Sequence, residues 1–141
     1  MKVKKAGTIL INMINKKIGL VYRKNNYDYS FPKGHLEKNE TLQECAIRET
    51  EEETGRSNHL IKEKEIGILT YTNPSGEDVE CYYYLAVDDG ESKKEFDREL
   101  KEKLVWVSPE KVKDKLTYEN LKTIWGKAEL DIKDILKTTI Q

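Results

Sequence analysis

The chain has no apolar run approaching the ~20 residues that a membrane span needs, so no transmembrane helix is expected. Charge of one sign is also missing: 25 basic residues stand against 26 acidic ones, for a net charge of −1. That balance excludes bulk electrostatic attraction to nucleic acid or anionic membrane, and no appended DNA-binding segment is evident. Only two cysteines occur, Cys45 and Cys81. Both fall inside expected elements and read as buried free thiols in a reducing cytoplasm. The opening Met1-Lys2-Val3-Lys4-Lys5 lacks a following signal-peptide core, since residues 9–13 are short and read as a strand. Repeats, low-complexity tracts and interdomain linkers are absent as well. What remains is a chain of 141 residues, 36% charged, expected to form one domain over residues 1–141 that buries about two thirds of its unfolded surface.

The acid that is present is concentrated. Residues 37–56 hold seven glutamates and three basic residues. Gly34 is followed six positions later by Glu40, then by Arg48-Glu49, Glu52-Glu53 and Gly55. On a helix, Glu49, Glu52 and Glu53 stand at i, i+3 and i+4 and share one face. Such like charges repel by roughly 0.2–0.5 kcal/mol per pair in an isolated helix. They also occupy the last turns, where the helix dipole disfavours anions. A cation bound among them explains why both penalties are tolerated. The alternative is a solvated acidic face, the usual meaning of a charge run. Oxygen-only ligands favour Mg²⁺, with Mn²⁺ also suitable, because thiolates and paired imidazoles are lacking.

Residues 34–56 resemble the signature box of the Nudix hydrolases: Gly, five residues, Glu, seven residues, then Arg-Glu-apolar-any-Glu-Glu-any-Gly-apolar. Gly34, Glu40, Arg48, Glu49, Glu52, Glu53 and Gly55 match every invariant position. Thr50 and Arg56 depart from its two apolar positions, and those departures concern packing rather than metal binding. The resemblance implies a Mg²⁺-dependent pyrophosphohydrolase in which water attacks phosphorus of a nucleoside diphosphate-linked substrate. It further implies that Glu49, Glu52, Glu53 and the Gly34 carbonyl hold metal, while Arg48 orients Glu52. Many relatives draw a further acid from the loop before the last strand, for which Glu99 and Glu102 are candidates and Glu95 a weaker one. The fold implied is an α/β/α sandwich with a mixed β-sheet and the signature strand-loop-helix.

The order of elements agrees with that fold. Residues 6–11 and 18–22 are rich in β-formers and separated by a polar turn. Thr41 and Glu44 form a capping box for a helix over residues 42–54, which Gly55 terminates. Residues 65–72 and 79–87 read as strands joined by a turn at Asn73-Pro74-Ser75-Gly76. Residues 88–102 read as a charged connection and 104–107 as a buried strand. Pro109 opens a brief helix, and a last helical stretch is expected from Thr117 and Asn120 to about Ala128.

Pro32-Lys33-Gly34-His35 resembles the diadenosine tetraphosphate hydrolase branch more than the oxidised-dGTP branch, which usually has Pro-Gly-Gly there. Lys33 and His35 flank the metal-binding turn and are candidates for the outer phosphates of a long polyphosphate chain. Tyr83-Tyr84-Leu85-Ala86 resembles a stretch of the dinucleotide hydrolases, and Tyr118 falls near their second adenine-stacking aromatic. Strand alternation, however, places Tyr83 with Val79, Cys81 and Leu85 on one face, as a core residue would be. The expected substrate is a dinucleoside polyphosphate, cleaved by a cytoplasmic monomer or homodimer. A (deoxy)nucleoside triphosphate pyrophosphatase is the competing enzyme reading. A Nudix-fold nucleotide sensor is the non-enzymatic one, and the intact set of box glutamates argues against it.

Overall fold

The computed structural model describes residues 2–94 and 102–138. Apolar residues of the first two stretches form β1 (Lys2–Asn12) and β2 (Lys17–Arg23), antiparallel with Leu10 opposite Gly19. Asn12 holds their turn, its Oδ1 accepting from the backbone N–H of Ile14 and of Asn15 at 2.9 and 3.1 Å. β2 runs on to pair with β3 (Asp28–Ser30), while β4 (Lys33–His35) takes the place beside the earlier part of β1, with Gly7 opposite Lys33. This change of partner along β1 opens the sheet where β4 lies.

The helix α1 (Leu42–Thr54) begins and ends where its sequence dictates. Thr41 Oγ1 accepts from the Glu44 amide, and Glu44 accepts in return from the Thr41 amide. Gly55 takes φ 73°, which other residues adopt only with strain, and donates to the Glu51 carbonyl at 2.9 Å. After it come β5 (Arg56–Leu60), β6 (Gly67–Thr72) and β7 (Asp78–Glu91). The β6–β7 hairpin closes on Asn73, whose Oδ1 accepts from the amides of Ser75 and Glu77, and Gly76 supplies the positive φ. β8 (Glu102–Val107) pairs with β2 and leads into α2 (Pro109–Lys115) and α3 (Glu119–Thr138).

β7 is the second axis of the sheet. It runs parallel to β1 from Lys2 opposite Asp78 to Ile11 opposite Val87, and antiparallel to β6 and β5 on its other edge. Alternation along β7 sends Cys81, Tyr83 and Leu85 to the face covered by Leu121, Ile124, Trp125, Ala128 and Ile132 of α3. Tyr84 and Tyr82 point to the other face, against Cys45 and Ala46 of α1. The result is an α/β/α sandwich around a mixed sheet of order β3-β2-β1-β7-β5. Each fully buried aliphatic side chain in the α3 stripe contributes ~1.5–3 kcal/mol. Replacing Trp125 by alanine is the single change expected to disrupt that layer most.

Several elements differ from the sequence expectation, among them the short strands β3 and β4, which were not expected as strands. β5 was not expected, because Arg56-Ser57-Asn58-His59-Leu60 shows no apolar alternation; its pairing to β7, with a bulge between Ser57 and Asn58, makes it a strand. α3 continues to Thr138 instead of ending near Ala128, since Ile132, Ile135 and Leu136 extend the same apolar stripe. β7 occupies residues expected as connection as far as Glu91. Both cysteines are buried free thiols, with burial pushing Cys45 up to about 12 and Cys81 to about 11. Among the described residues, no helix is long and apolar enough to cross a membrane.

Candidate active site

The site begins where β4 meets α1. A Cβ at Gly34 would lie 2.1 Å from the Glu49 carboxyl, so only glycine lets that carboxylate rest on the β4 backbone. Cys45 Sγ approaches the Gly34 carbonyl at 3.5 Å. Gly7 performs a similar service one strand away: a Cβ there would meet the Pro32 carbonyl at 2.1 Å and Lys33 Cβ at 2.5 Å. Gly7 thus lets β1 and β4 approach backbone to backbone, and Gly34 lets the Glu49 side chain of α1 reach the β4 backbone.

Arg48 is the hub of the acidic side. Its Nε donates to Glu40 at 2.6 Å and one terminal nitrogen to the other Glu40 oxygen at 3.0 Å and to the His35 carbonyl at 2.9 Å. The other terminal nitrogen reaches Glu49 at 3.2 Å, Glu52 at 3.1 Å and Glu37 at 3.2 Å. The expected Arg48–Glu52 pair is therefore present within a wider network that ties α1 to β4 and its following loop. Arg48 holds the Glu40 carboxyl below its ordinary value, and its own pKa is raised chiefly by the Glu40 hydrogen bonds.

Glu53 has the opposite environment. Part of its surface remains exposed, yet desolvation is the largest influence and pushes its pKa well above its ordinary value. The Lys33 charge pulls it down, the charges of Glu102 and Glu49 push it up, and the Lys33 amide donates to its Oε2 at 2.9 Å. Glu49 is also raised, first by burial, with the Arg48 charge opposing.

The remaining sequence candidates separate clearly. Lys33 and His35 lie on β4 one residue either side of Gly34, with Lys33 half-buried and His35 exposed. Burial and the charges of Lys5 and Lys33 push the His35 pKa down. Tyr118, in the turn between α2 and α3, is 43% exposed, while its hydroxyl donates to Asp28 at 2.6 Å. Tyr83 is a correction: it is 1% exposed and packed edge-on against Phe31 at 5.7 Å, so its ring offers no free face to a base. Strand alternation had already placed it in the core. Glu99 and Glu95 lie outside the described residues. Glu102 begins β8, and its charge acts on Glu53.

Other contributors were missed in the sequence. The two departures from the signature box have distant partners that no local pattern reveals. Thr50 is buried and shares a 2.7 Å hydroxyl hydrogen bond with Thr8. Arg56 forms a two-pronged pair with Asp88 at 2.9 and 2.8 Å and lies 6.0 Å from the Trp106 ring centroid. Asp28, 1% exposed, is held by the Arg23 guanidinium, whose Nε donates at 2.8 Å, and so lies below its ordinary pKa. The adjacent Thr117 is stitched to Tyr29, donating from its amide at 3.3 Å and accepting at Oγ1 at 2.8 Å. Together these contacts fix the turn that carries Tyr118.

The acids fit a hard divalent cation in type: all donors are carboxylate or carbonyl oxygen, and Glu49 and Glu53 are held toward protonation by burial and by acidic neighbours. Among the described residues, no three acidic, histidine or cysteine side chains converge on one point. Arg48 already engages Glu49 and Glu52 through a single nitrogen, so a cation must compete with the guanidinium for them.

Comparison with known proteins bears on the family and the fold. The family model described as the NUDIX domain matches residues 2–124. A curated relative, the 8-oxo-(d)GTP phosphatase of Mycolicibacterium smegmatis, is 29% identical over 123 residues, which cover 85% of this chain and 37% of that protein. Among solved structures, a NUDIX hydrolase from Nitrosomonas europaea superimposes with TM-score 0.75 at 18% identity, covering 93% of this chain and 90% of that one. An Ap4A hydrolase of C. elegans superimposes with TM-score 0.71 at 20% identity, covering 94% and 99%. These structural likenesses speak to the fold alone.

Proposed function

The chain belongs to the NUDIX domain family, and we propose that it is a Mg²⁺-dependent pyrophosphohydrolase that cleaves dinucleoside polyphosphates such as diadenosine tetraphosphate. The observation that carries this reading is the Arg48-centred carboxylate network laid over the Gly34 backbone, with Glu53 beside it. Glu49, Glu52, Glu53 and the Gly34 carbonyl would hold Mg²⁺ or Mn²⁺, with Glu99 or Glu102 as the additional acid; the charge of Glu102 reaches Glu53. A cation bound there supplies charge neutralisation at the attacked phosphate and a more acidic water.

The chain's own residues do the positioning. Arg48 keeps Glu40 ionised and fixes the α1 carboxylates against β4. Lys33 places a cation at the phosphate side of Glu53, and His35, on the same face of β4, meets the next phosphate along the chain. Tyr118 offers an exposed ring for a base, anchored through its hydroxyl to Asp28. Binding energy from that remote base serves to hold the reacting phosphorus in place.

The likeness to the mycobacterial phosphatase favours a second reading, a (deoxy)nucleoside triphosphate pyrophosphatase. The test is kcat/KM with Mg²⁺ for diadenosine tetraphosphate, ATP and 8-oxo-dGTP. The dinucleotide is expected to be the best substrate, and Tyr118→Ala is expected to reduce its advantage over ATP by roughly 5- to 100-fold, the equivalent of one stacked base. A wild-type preference for 8-oxo-dGTP or ATP moves the assignment to the triphosphate reading and leaves Tyr118 as packing.

A further inference from the structure

One face of the sheet carries a group of basic side chains that stand outside the Arg48-centred hydrogen bonds. Lys5 on β1 stands directly opposite His35 on β4, and Gly7 stands opposite Lys33. Residues opposite one another in an antiparallel pair share a face, with Cβ atoms about 4.5–5.5 Å apart. Residues two apart on a strand share it too. Lys5, Lys33 and His35 therefore lie on one side of the sheet, with bare Gly7 completing the square.

The same side is the one that α3 covers further along. Gly67, at the start of β6, would meet Ile124 of α3 if it carried a Cβ, and Leu69 packs against that core. Tyr71 is next on that face of β6, opposite Val79, at the end away from Gly67. Its hydroxyl accepts from Lys5 Nζ at 3.3 Å, and the same ammonium stands 5.9 Å from its ring centroid. Lys5 is thus a half-buried cation held by a neutral partner rather than by a carboxylate among the described residues. A lysine paired with an acid has its charge already cancelled. This ammonium stands beside a phenol instead, which leaves it open to an anionic ligand, and Tyr71 restricts where it can be.

We infer that Lys5, with His35 and positioned by Tyr71, forms a subsite for the phosphates of the substrate that lie beyond the one attacked. The ligand class is a linear polyphosphate chain, and the role is to favour substrates with more phosphates. This rests on the proposed polyphosphate-cleaving function, but it concerns Lys5 and Tyr71, which that reading does not need. Lys5 contacts the ligand, whereas Tyr71 acts through Lys5.

The probe is inorganic tripolyphosphate, titrated calorimetrically into the protein without divalent metal. Wild type is expected to bind with an affinity that falls as salt rises. Lys5→Met is expected to weaken binding about tenfold, the scale of one charge-assisted hydrogen bond, and Lys5→Arg to restore most of it. Tyr71→Phe, which keeps the ring and removes only the hydroxyl, is expected to weaken binding by roughly threefold. Wild-type affinity in Lys5→Met, or no tripolyphosphate binding by the wild type, overturns the subsite. Unaltered affinity in Tyr71→Phe overturns the positioning role. If Lys5 proves necessary for tripolyphosphate binding while diadenosine tetraphosphate is a poor substrate, the subsite stands and only the substrate assignment falls.

Discussion

Asp28 on β3 and Glu53 at the end of α1 are both carboxylates drawn into the protein, and their surroundings treat them oppositely. Asp28 meets the Arg23 guanidinium and the Tyr118 hydroxyl, which hold its pKa down. Burial pushes the Glu53 pKa well up, the Lys33 charge and backbone amide oppose that rise, and Glu102 and Glu49 add to it. The first arrangement is complete within the chain and secures a turn. The second gathers further acids about a desolvated carboxylate, the setting in which we propose that an external cation binds. Burial of an acid by itself therefore says little; its neighbours set the direction in which its pKa moves.

The largest expected break in that comparison is Glu53→Gln or Glu52→Gln. Turnover with saturating Mg²⁺ should fall by ~100-fold or more, since even changes to groups that merely support metal ligands cost about 10–100-fold. Near-wild-type kcat would remove both residues from the proposed ligand set. Their thermal stability without metal should hold or rise, because each change removes a charge from a crowded helix end.

The stability of the two acids should depend on pH with opposite sign. Asp28 has a lowered folded pKa, so its contribution is present above the ordinary aspartate value and is lost as pH falls through the lowered one. Asp28→Asn should then destabilise at neutral pH by ~1–3 kcal/mol, with the gap from wild type closing in acid. Glu53 has a raised folded pKa, so the wild type loses stability as pH rises from the ordinary glutamate value through the raised one. Glu53→Gln should thus equal wild type in acid and exceed it at neutral pH. Denaturant melts of both variants across pH 3–8, on the order of the range where carboxylates titrate, check this. Parallel rather than opposite trends would erase the distinction between brace and site.

Smaller effects sharpen the contrast. Millimolar Mg²⁺ should stabilise wild type by mass action, by about 1.4 kcal/mol at tenfold excess over Kd, read as a higher melting temperature, and should not do so for Glu53→Gln. Titration calorimetry without a binding signal at millimolar Mg²⁺, even with a non-hydrolysable nucleotide present, would favour the sensor reading. Thr50→Val should cost only ~1 kcal/mol, the scale of one unpaired buried hydroxyl on Thr8. Pairing it with Thr8→Val should recover most of the loss if that hydrogen bond is the cause.

What could be read from the sequence followed from short-range spacing. The helical phase of Glu49, Glu52 and Glu53, the Thr41–Glu44 cap and the Gly55 stop are set within a few residues, and the structure has them at the expected places. Tyr83 was legible as core from alternation, and the family resemblance alone argued otherwise. Partners far apart in the chain were not legible: Thr8 for Thr50, Asp88 for Arg56, Tyr71 for Lys5, and Asp28 for Tyr118. Nothing in a local pattern announces them, because each pair is made by tertiary packing, strand to strand, strand to helix or strand to turn. β5 escaped for the same reason, its strand character being imposed by β7.

The parallel pairing of β1 with β7 has a consequence for how the chain is born. Lys2 finds its partner in Asp78 and Ile11 finds its partner in Val87. At ~5–20 residues per second on the ribosome, β1 waits several seconds with that edge unpaired. During that interval its apolar residues Ile9, Leu10 and Ile11, all buried in the finished protein, are a template for any passing strand. The charged start of the strand, Lys2, Lys4 and Lys5, lies on the same segment and repels identical chains in the same predicament. The lysines at the head of β1 thereby guard the nascent chain before Lys5 takes up any task in the folded one.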